Sequence, residues 1–329
     1  MADTILVCSG GGHLKQLFEL ASRIGVPPEH QLWMTFDNAL SRSLLADRRV
    51  EFVPFAAPRD LPNTLRIRRV AHRVLRENDV ERAISTGSSP AVAVLPVAVR
   101  AGAQAHYIES AARADGPSLS GRLIARNRRI ATYTQYPVWA DERWQYRGSI
   151  FDRYVPGPTK PVTTIRRAVV TVGTQEGYPF DRLYQALVPL LRGCEVLWQT
   201  GDQDVSAYGI VGRPTVPHDE LREATARADV VVAHSGTGSA LTALEVGKVP
   251  VLIPRLAKFG EHVDDHQVQI AAELARRGLA VDRSPDELSL ASLQEAASRS
   301  VQEISPPPFL LDGVDGLSRP GSTKREGKR

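Results

Sequence analysis

The chain has 329 residues, of which 42% are hydrophobic, 24% charged and 6% aromatic. This ordinary globular composition excludes a fibrous or low-complexity protein, and the length favours two domains of about 150 residues each. Its two cysteines, Cys8 and Cys194, lie far apart in apolar runs, which excludes a disulfide-rich secreted fold and a cysteine metal site and suits a reducing compartment.

Positive charge is concentrated in the first half of the chain. Residues 1–160 contain 22 Lys and Arg against 15 Asp and Glu, a net charge of +7, whereas residues 161–329 contain 19 against 22, a net charge of −3. A basic half suits an anionic partner such as a membrane surface or a diphosphate-linked acceptor, although a solvated basic face explains the same excess. No nucleic-acid recognition motif accompanies it.

The first half alternates short apolar runs with polar turns and amphipathic stretches. This alternation predicts a doubly wound parallel sheet whose ligand loops follow the carboxyl ends of the strands. Gly11 and Gly12 follow the first strand and form a candidate phosphate or acceptor loop. The predicted strands cover residues 4–9, 31–36, 83–85, 105–108 and 130–134, and the predicted helices cover residues 14–24, 66–78 and a stretch ending at Val99.

A proline-rich segment separates the two halves. Pro156, Pro158 and Pro161 fix φ and remove backbone donors, which predicts a linker and a domain boundary after residue 157. The domains are then 1–157 and 158–304, and the proline-containing, basic segment 305–329 is predicted to be a disordered tail. Predicted strands follow at 168–172, 195–199, 230–233 and 249–253, and predicted helices at 180–191, 221–227, 239–246, 267–277 and 285–301.

The most informative stretch is residues 233–267. A buried strand enters a Ser-Gly-Thr-Gly turn, and a helix follows it. Glycines permit close backbone approach and the N–H groups of a helix N-terminus attract an anion, so this turn predicts a diphosphate site. Glu245, which phosphate would repel, is better suited to accept hydrogen bonds from ribose hydroxyls. The turn residues are His234, Ser235, Gly236, Thr237, Gly238 and Ser239.

This stretch resembles the donor-binding half of GT-B glycosyltransferases, above all glycosyltransferase family 28 and the catalytic subunit of the dolichol-pathway UDP-GlcNAc transferase. The strand, H-S-G-x-G-S, Glu245, G-K-x-P and D-H-Q occur in the family's order. The resemblance implies that the turn holds the diphosphate and Glu245 the ribose. It also implies that Asp265, His266 and Gln267 face the donor sugar, and that Gly173 and Thr174 approach the diphosphate from another loop.

The first half resembles the acceptor-side subunit of the same transferase. The similarity lies in S-G-G-G-H followed by L-F-E-L, in F-D with two serines, and in Y-I-E-S-A-A-R with S-L-S-G. The chain is therefore similar to both subunits joined in one polypeptide, as in some bacterial exopolysaccharide glycosyltransferases. Such a subunit usually has an N-terminal membrane anchor, whereas this chain enters a strand at once. We therefore expect a cytoplasmic protein that is at most peripheral at the inner membrane face.

Two residues are candidates for the catalytic base. His13 lies on a glycine loop at a strand end, and an imidazole with an ordinary pKa near 6.5 suits proton abstraction; family 28 has a histidine at the matching position. Its alternative role is to cap the first helix or to contact phosphate. Glu109, also at a strand end, is the second candidate, with an ion pair to Arg113 as its alternative role. Asp264 or Asp265 could likewise cap the helix at Gln267.

The predicted fold is α/β, with two Rossmann-like doubly wound domains facing each other across a cleft, as in GT-B proteins. The predicted function is an inverting, metal-independent glycosyltransferase that uses a UDP-sugar as co-substrate and no cofactor. Its expected acceptor is a polyprenyl-diphosphate-linked saccharide in cell-surface polysaccharide synthesis. Asp202-Gln203-Asp204 has the spacing of metal-dependent transferases but is interpreted as surface.

Three alternatives remain open. A soluble small molecule or natural product could be the acceptor, which the missing anchor favours. A UDP-sugar 2-epimerase would share the architecture. An oxidoreductase is suggested by the glycine turn and by Asp37 at the end of strand two, but Gly10-Gly11-Gly12 lacks the G-x-G-x-x-G spacing.

Overall fold

The computed structural model describes residues 3–57, 60–173 and 177–312. They form two α/β domains, each built on one parallel sheet, and a small two-stranded sheet between them. The predicted fold class is confirmed.

The first domain has a seven-stranded parallel sheet in the order β3-β2-β1-β4-β5-β6-β7. Its strands are β1 (Thr4–Cys8), β2 (Gln31–Phe36), β3 (Arg49–Val53), β4 (Arg82–Gly87), β5 (Gln104–Ile108), β6 (Ile130–Thr134) and β7 (Trp144–Tyr146), and the chain leaves through β8 (Tyr154–Pro156). Its helices are α1 (Gly12–Ile24), α2 (Ala39–Leu44), α3 (Leu61–Glu77), α4 (Ser89–Arg100) and α5 (Leu119–Ala125).

Both faces of this sheet are covered by helices. Side chains alternate along β1 because successive residues of a strand point to opposite faces. Leu6 and Cys8 pack in one cluster with α1, whereas Ile5 and Val7 pack in another with α3 and α4. All five residues of β1 are buried, which explains why the strand is a continuous apolar run.

The second domain has a six-stranded parallel sheet in the order β11-β10-β9-β12-β13-β14. Its strands are β9 (Arg167–Thr171), β10 (Glu195–Gln199), β11 (Gly212–Arg213), β12 (Val230–His234), β13 (Val251–Ile253) and β14 (Val281–Asp282), followed by β15 (Val301–Glu303). Its helices are α6 (Asp181–Leu190), α7 (His218–Arg227), α8 (Thr237–Leu244), α9 (His266–Arg276) and α10 (Leu290–Ser298).

The strand order reverses at one position in each sheet, between β1 and β4 and between β9 and β12. Ligands of doubly wound sheets bind beyond the carboxyl ends of the strands at such switch points. The loops that begin at Ser9, Ser88, Val172 and Ser235 follow these four strands. The fold therefore gathers the predicted glycine turns of both domains at the switch points.

The last part of the chain differs from its prediction. Instead of one helix over residues 285–301, a 3₁₀ turn (Pro285–Glu287) precedes α10, and β15 follows it. Ser289 caps α10 through a reciprocal hydrogen-bond pair with Ser292, and Arg299 is extended. Ser289 begins a new helix after the 3₁₀ turn. As an N-cap residue it has extended backbone angles, so one continuous helix cannot pass through it. The helix α2 and strand β3 were also absent from the predicted elements.

The segment after β15 returns to the first domain. β15 pairs antiparallel with β8, and Phe309 donates its N–H to the Arg23 carbonyl at 3.0 Å. The Phe309 ring is 1% exposed and lies 6.0 Å from that of Tyr133. The predicted disorder from residue 305 is therefore wrong for residues 305–312, because burial of this aromatic side chain anchors them. Residues 313–329 lie outside the described part.

Helix α3 has 17 residues and two different faces. Ile67, Ala71 and Val74 are buried against the sheet. The outer face carries five exposed arginines together with exposed leucines. Among the described helices none is both long and apolar enough to cross a membrane. The exposed basic residues are Arg66, Arg68, Arg69, Arg73 and Arg76.

Candidate active site between the domains

The first helices after the two glycine turns meet across the domain boundary. A Cβ on Gly238 would lie 3.6 Å from the Gly12 Cα atom. Further along, Lys15 of α1 donates to the Thr242 hydroxyl of α8 at 2.6 Å. The two helices therefore run side by side in the same direction, and both N-termini open at the same end. Two adjacent helix N-termini favour an anion more than one alone.

The imidazole of His234 is fixed between two of the predicted donor-site glycines. A Cβ on Gly173, where φ is 76°, would lie 2.7 Å from the ring, and a Cβ on Gly236 would clash with it. The ring Nδ1 lies 3.4 Å from the Thr171 carbonyl, to which it donates. Burial lowers the His234 pKa to about 3, assisted by the positive charge of Arg255. His234 is therefore neutral near pH 7 and shapes the turn.

His13 is held in the tautomer that a base needs. Its Nδ1 lies 2.6 Å from the Thr86 carbonyl oxygen. A carbonyl oxygen only accepts, so Nδ1 carries the proton and Nε2 keeps a free lone pair. Burial lowers the pKa of His13 to about 4, which leaves the imidazole unprotonated at neutral pH. The alternative role as a helix cap is not seen, since α1 has no side-chain cap.

A charged cluster at the start of α9 joins the domains. Arg113 of the first domain donates to Asp264 of the second at 2.8 Å. His266 donates from Nδ1 to the other oxygen of the same carboxylate, and His262 Nδ1 lies 3.7 Å from that oxygen. These hydrogen bonds and charges, those of His266 first, hold the pKa of Asp264 well below its usual range. The cluster is thus an interdomain contact beside the cleft.

The same cluster has ligand types that metals use. Ligand atoms of His262, Asp264 and His266 lie within 4.8 Å of one another, and no other described group of three histidine, cysteine or acidic side chains does so. Two imidazoles and one carboxylate suit zinc or another transition metal. The sequence-based expectation of no metal stays a prediction.

Asp265 and Gln267 hold the loop between β13 and α9. Asp265 accepts the Ala257 N–H at 2.8 Å, and Gln267 accepts the Arg255 N–H at 3.0 Å. Asp265 precedes α9 but makes no capping hydrogen bond, so the capping alternative fails for it. Gln267 is buried. Direct contact of these two side chains with a sugar stays a prediction.

Glu109 does not have the environment of a base. Its carboxylate is 1% exposed and accepts from the backbone N–H groups of Ser110 and Ser118 and from the hydroxyls of Ser118 and Tyr107. A Cβ on Gly121 would clash with it. Burial raises its pKa while these donors lower it. Glu109 instead fixes the loop after β5, and its alternative ion pair with Arg113 is absent because Arg113 contacts Asp264.

Four other residues from the sequence analysis have separate outcomes. Glu245 immediately follows α8, about 12 Å along the helix from Thr237, and its carboxylate lies 3.8 Å from Lys15 Nζ. The ribose role of Glu245 stays a prediction, alongside this interdomain contact. Thr174 lies outside the described residues. Asp202 and Asp204 accept local backbone N–H groups, as a surface loop would.

Two buried donors near the second switch point have no partner in the described part of the chain. Ser235 is fully buried and its hydroxyl has no hydrogen-bond partner, and Arg255 is 2% exposed with Nε unpaired. The sequence analysis included Ser235 but missed Arg255. A charged residue directly after a buried strand, at the carboxyl edge of a parallel sheet, was the signal that could have identified it.

Residues 167–305 match the glycosyltransferase family 28 C-terminal domain. A stretch of 59 residues, 18% of this chain, is 42% identical to the UDP-N-acetylglucosamine transferase subunit ALG13 of Yarrowia lipolytica (strain CLIB 122 / E 150). The match spans 28% of that yeast protein. The resemblance to family 28 is thus confirmed for the second domain.

Two solved structures extend the similarity to both domains. MurG of Acinetobacter baumannii superposes with a TM-score of 0.57 at 17% identity, covering 89% of each chain. The UDP-GlcNAc 2-epimerase of Methanocaldococcus jannaschii gives 0.56 at 10% identity, covering 94% of this chain and 96% of that one. At these identities the similarity concerns the fold. The chain therefore has the two-domain GT-B fold, and its residues 167–305 match the C-terminal domain of glycosyltransferase family 28.

Proposed function

We propose that this protein is an inverting, UDP-sugar-dependent glycosyltransferase that acts on a lipid-linked saccharide. The observation that carries the proposal is the pairing of the α1 and α8 N-termini, one from each domain, at the switch-point edge of a family 28 domain. A nucleoside diphosphate is the anion that such a pair fits, and UDP-GlcNAc is the first donor to test because the yeast relative is named for it.

The chemistry needs a base and a stabilised leaving group. His13 Nε2 is the free nitrogen that would accept the proton of the acceptor hydroxyl as its oxygen attacks the anomeric carbon. The departing UDP carries the developing charge, which the backbone N–H groups at Thr237 and Gly238 would stabilise. Attack opposite to the leaving group inverts the anomeric centre. The mechanism requires no metal ion, so prolonged chelation followed by EDTA-containing assay buffer should leave activity unchanged.

The surface of the first domain supports a membrane-bound acceptor. Phe55, Leu61 and Leu65 are 67%, 71% and 52% exposed. Leu61 and Leu65 lie in the first two turns of α3, and Phe55 lies in the loop between β3 and α3. This loop follows β3, so α3 begins at the cleft edge of the sheet. The exposed arginines of α3 continue from this apolar patch. An apolar patch with adjacent arginines suits an anionic bilayer, and its position would present a polyprenyl-linked acceptor to the cleft.

The first experiment tests the donor site. Calorimetric titration with UDP, GDP, dTDP and NAD should give selective binding of UDP. Release of UDP from UDP-GlcNAc and other UDP-sugars should then depend on an added polyprenyl-diphosphate saccharide. No UDP binding would refute the donor site, and NAD binding in its place would favour an oxidoreductase.

A second experiment tests the membrane surface. In a flotation assay, the wild type should bind vesicles that contain about 30% anionic lipid. The double variant Leu61→Ser, Leu65→Ser should bind about tenfold less. Val211→Ser is the matched control, because Val211 is 89% exposed but lies in the second domain. Equal retention of all three proteins, or turnover of a soluble acceptor in preference to the lipid-linked one, would contradict the membrane acceptor.

The epimerase alternative makes a distinct prediction. The fold is shared with a UDP-GlcNAc 2-epimerase, so fold alone does not separate the two activities. An epimerase changes UDP-GlcNAc without any acceptor and retains the nucleotide in its product. Acceptor-dependent release of UDP would exclude it.

A further inference from the structure

Arg255 is a buried cation that forms no ion pair with any residue of the described part of the chain. It follows β13 at the carboxyl edge of the second sheet and is 2% exposed. Within the described residues it forms no ion pair, and its Nε has no acceptor. Its guanidinium carbon lies 5.5 Å from the Phe180 ring centroid. A cation–π contact offsets only part of the cost of removing a charge from water.

The neighbouring acids are already engaged. Glu261 accepts two hydrogen bonds from Arg182, at 2.8 and 2.7 Å, and Asp202 accepts the Gly177 N–H at 2.8 Å. Burial lowers the pKa of Arg255, but a guanidinium stays protonated in proteins. Glu261 and Asp202 still stabilise the Arg255 charge from a distance, but among the described residues neither forms an ion pair with it, so an anionic ligand would supply a direct counter-charge.

Arg255 is also held in place beside the α8 turn. The backbone N–H of Arg255 donates to the side-chain oxygen of Gln267, in the first turn of α9, at 3.0 Å. Its charge contributes to the low pKa of His234, whose ring occupies the space beside Gly236 just before the α8 N-terminus. In the same turn the buried Ser235 hydroxyl also lacks a partner. Ser235 and Arg255 thus lie beyond the carboxyl ends of the neighbouring strands β12 and β13, on the same edge of the sheet as the α8 N-terminus.

We propose that Arg255 binds the diphosphate of the nucleotide-sugar donor, with the Ser235 hydroxyl as a second side-chain donor. This inference rests on the proposed function and adds to it the counter-charge for the leaving group. During transfer the glycosidic C–O bond to the β-phosphate breaks, its electron pair goes to the phosphate oxygen, and the guanidinium stabilises that negative charge. The proton of the acceptor hydroxyl is transferred to His13 Nε2.

The test compares Arg255→Gln and Arg255→Lys with the wild type. Arg299→Gln is the matched control, because Arg299 is an arginine of the same domain that donates to the Gly278 carbonyl away from the turn. Affinities for UDP, UMP and uridine, and melting temperatures with and without UDP, are measured for each protein.

Arg255→Gln should weaken UDP binding about 10- to 100-fold and leave uridine binding unchanged. Arg255→Lys should fall between it and the wild type. Without ligand, Arg255→Gln should melt at the same or a higher temperature than the wild type, since it removes an unpaired buried charge. With UDP its stabilisation should be smaller. The control should bind all three ligands like the wild type.

Other outcomes would overturn the assignment. A lower melting temperature with unchanged UDP affinity, in both Arg255 variants, would make Arg255 structural. Weaker binding of a UDP-uronate alone, with UDP unaffected, would place a sugar carboxylate there instead of the diphosphate. If the wild type itself fails to bind UDP, the proposed function fails and this inference with it; if it binds UDP and the variants do too, only the Arg255 inference fails.

Discussion

The two domains present similar turns to the cleft but satisfy their polar groups differently. In the first domain His13 donates to Thr86, and Glu109 accepts four hydrogen bonds. In the second domain Ser235 and the Arg255 Nε are buried and have no partner among the described residues. Buried polar groups are normally paired within the protein. Around the first turn the side chains of His13 and Glu109 are held by internal hydrogen bonds, with His13 Nε2 left free, whereas the second turn has donors available for an anionic ligand.

This contrast distinguishes residues that hold the structure of the site from residues that bind its ligand. A residue whose hydrogen bonds are all internal should affect stability when it is changed, and a residue with unpaired donors should affect ligand affinity. His13 combines both properties, because one ring nitrogen is paired and the other is free. The following predictions test the contrast at individual residues.

The largest effect is expected at His13. His13→Ala should lower kcat about 100- to 10,000-fold, the usual contribution of a general base, and leave UDP affinity within about twofold. Acceptor-dependent UDP release and calorimetry measure the two quantities. His30→Ala is the control, since His30 lies at the amino end of β2, whereas the candidate site lies beyond the carboxyl ends of the strands.

The pH profile of the same reaction sharpens this prediction. With a His13 pKa of about 4, activity should rise from about pH 3 to 5 and be flat above it, as far as the protein stays folded. A kcat that His13→Ala leaves intact would assign the base elsewhere.

Glu109 should affect stability and not chemistry. Glu109→Ala leaves four donors without their acceptor and should lower the free energy of unfolding by about 3–5 kcal/mol. Urea denaturation measures this loss. Glu109→Gln keeps the side-chain size and one acceptor, so it should lose less stability and retain activity per folded molecule. A stable but inactive Glu109→Gln enzyme would restore Glu109 as the base.

Acid should destabilise the protein through its buried histidines. Burial lowers the pKa of His106 to about 4, against about 6.5 when unfolded. The unfolded state therefore binds more protons between these values, and stability falls as the pH falls from about 6.5 to 4. The shift of roughly 2.5 pKa units corresponds to about 3 kcal/mol.

Denaturation series at several pH values, with the wild type and His106→Gln, isolate this contribution. The variant should show a shallower dependence of unfolding free energy on pH, by about one proton, and unchanged catalysis. Parallel curves for the two proteins would mean that His106 is protonated in the folded state as readily as in the unfolded one.

The smallest effect is expected at the contact between Lys15 and Glu245. Their separation of 3.8 Å and partial burial suggest a coupling of about 1 kcal/mol in a double-mutant cycle of Lys15→Met and Glu245→Gln. The cycle is measured by denaturation. If Glu245 also binds ribose, Glu245→Gln should weaken UDP more than dTDP, which lacks the 2′-hydroxyl. If Glu245→Gln weakens UDP and dTDP binding equally, Glu245 has only the interdomain role.

Local signals predicted much of the fold. The apolar run of β1, its glycine turn and the periodicity of α1 come from neighbouring residues, and β6 and β10 have the predicted bounds. Closely spaced prolines predicted a domain linker, but Pro156 of that segment pairs with Val301 in the small two-stranded sheet, and the domain boundary stays a prediction. Such features depend on backbone geometry and on the period of side-chain burial, which adjacent residues specify.

The environment of each site residue was harder to predict. Glu109 had the strand-end position of a base, but Ser118 and Gly121 enclose it after the loop folds back. Phe309 lay in a segment with the composition of a tail, yet it finds a buried position on the first domain. Short-range composition does not specify which distant surface will cover a side chain.

The sequence by itself determined most of the strands and their glycine turns, the division into two α/β halves and the residue types at the cleft, because strand and helix patterns and glycine turns are local. Only the tertiary structure decided which polar groups are satisfied. Lys15 meets Thr242 across 227 positions, and Arg113 meets Asp264 across 151. Burial and pairing of charges depend on such long-range contacts. Both Glu109 and Arg255 are buried, but Glu109 accepts internal hydrogen bonds, whereas the Arg255 Nε has no partner among the described residues.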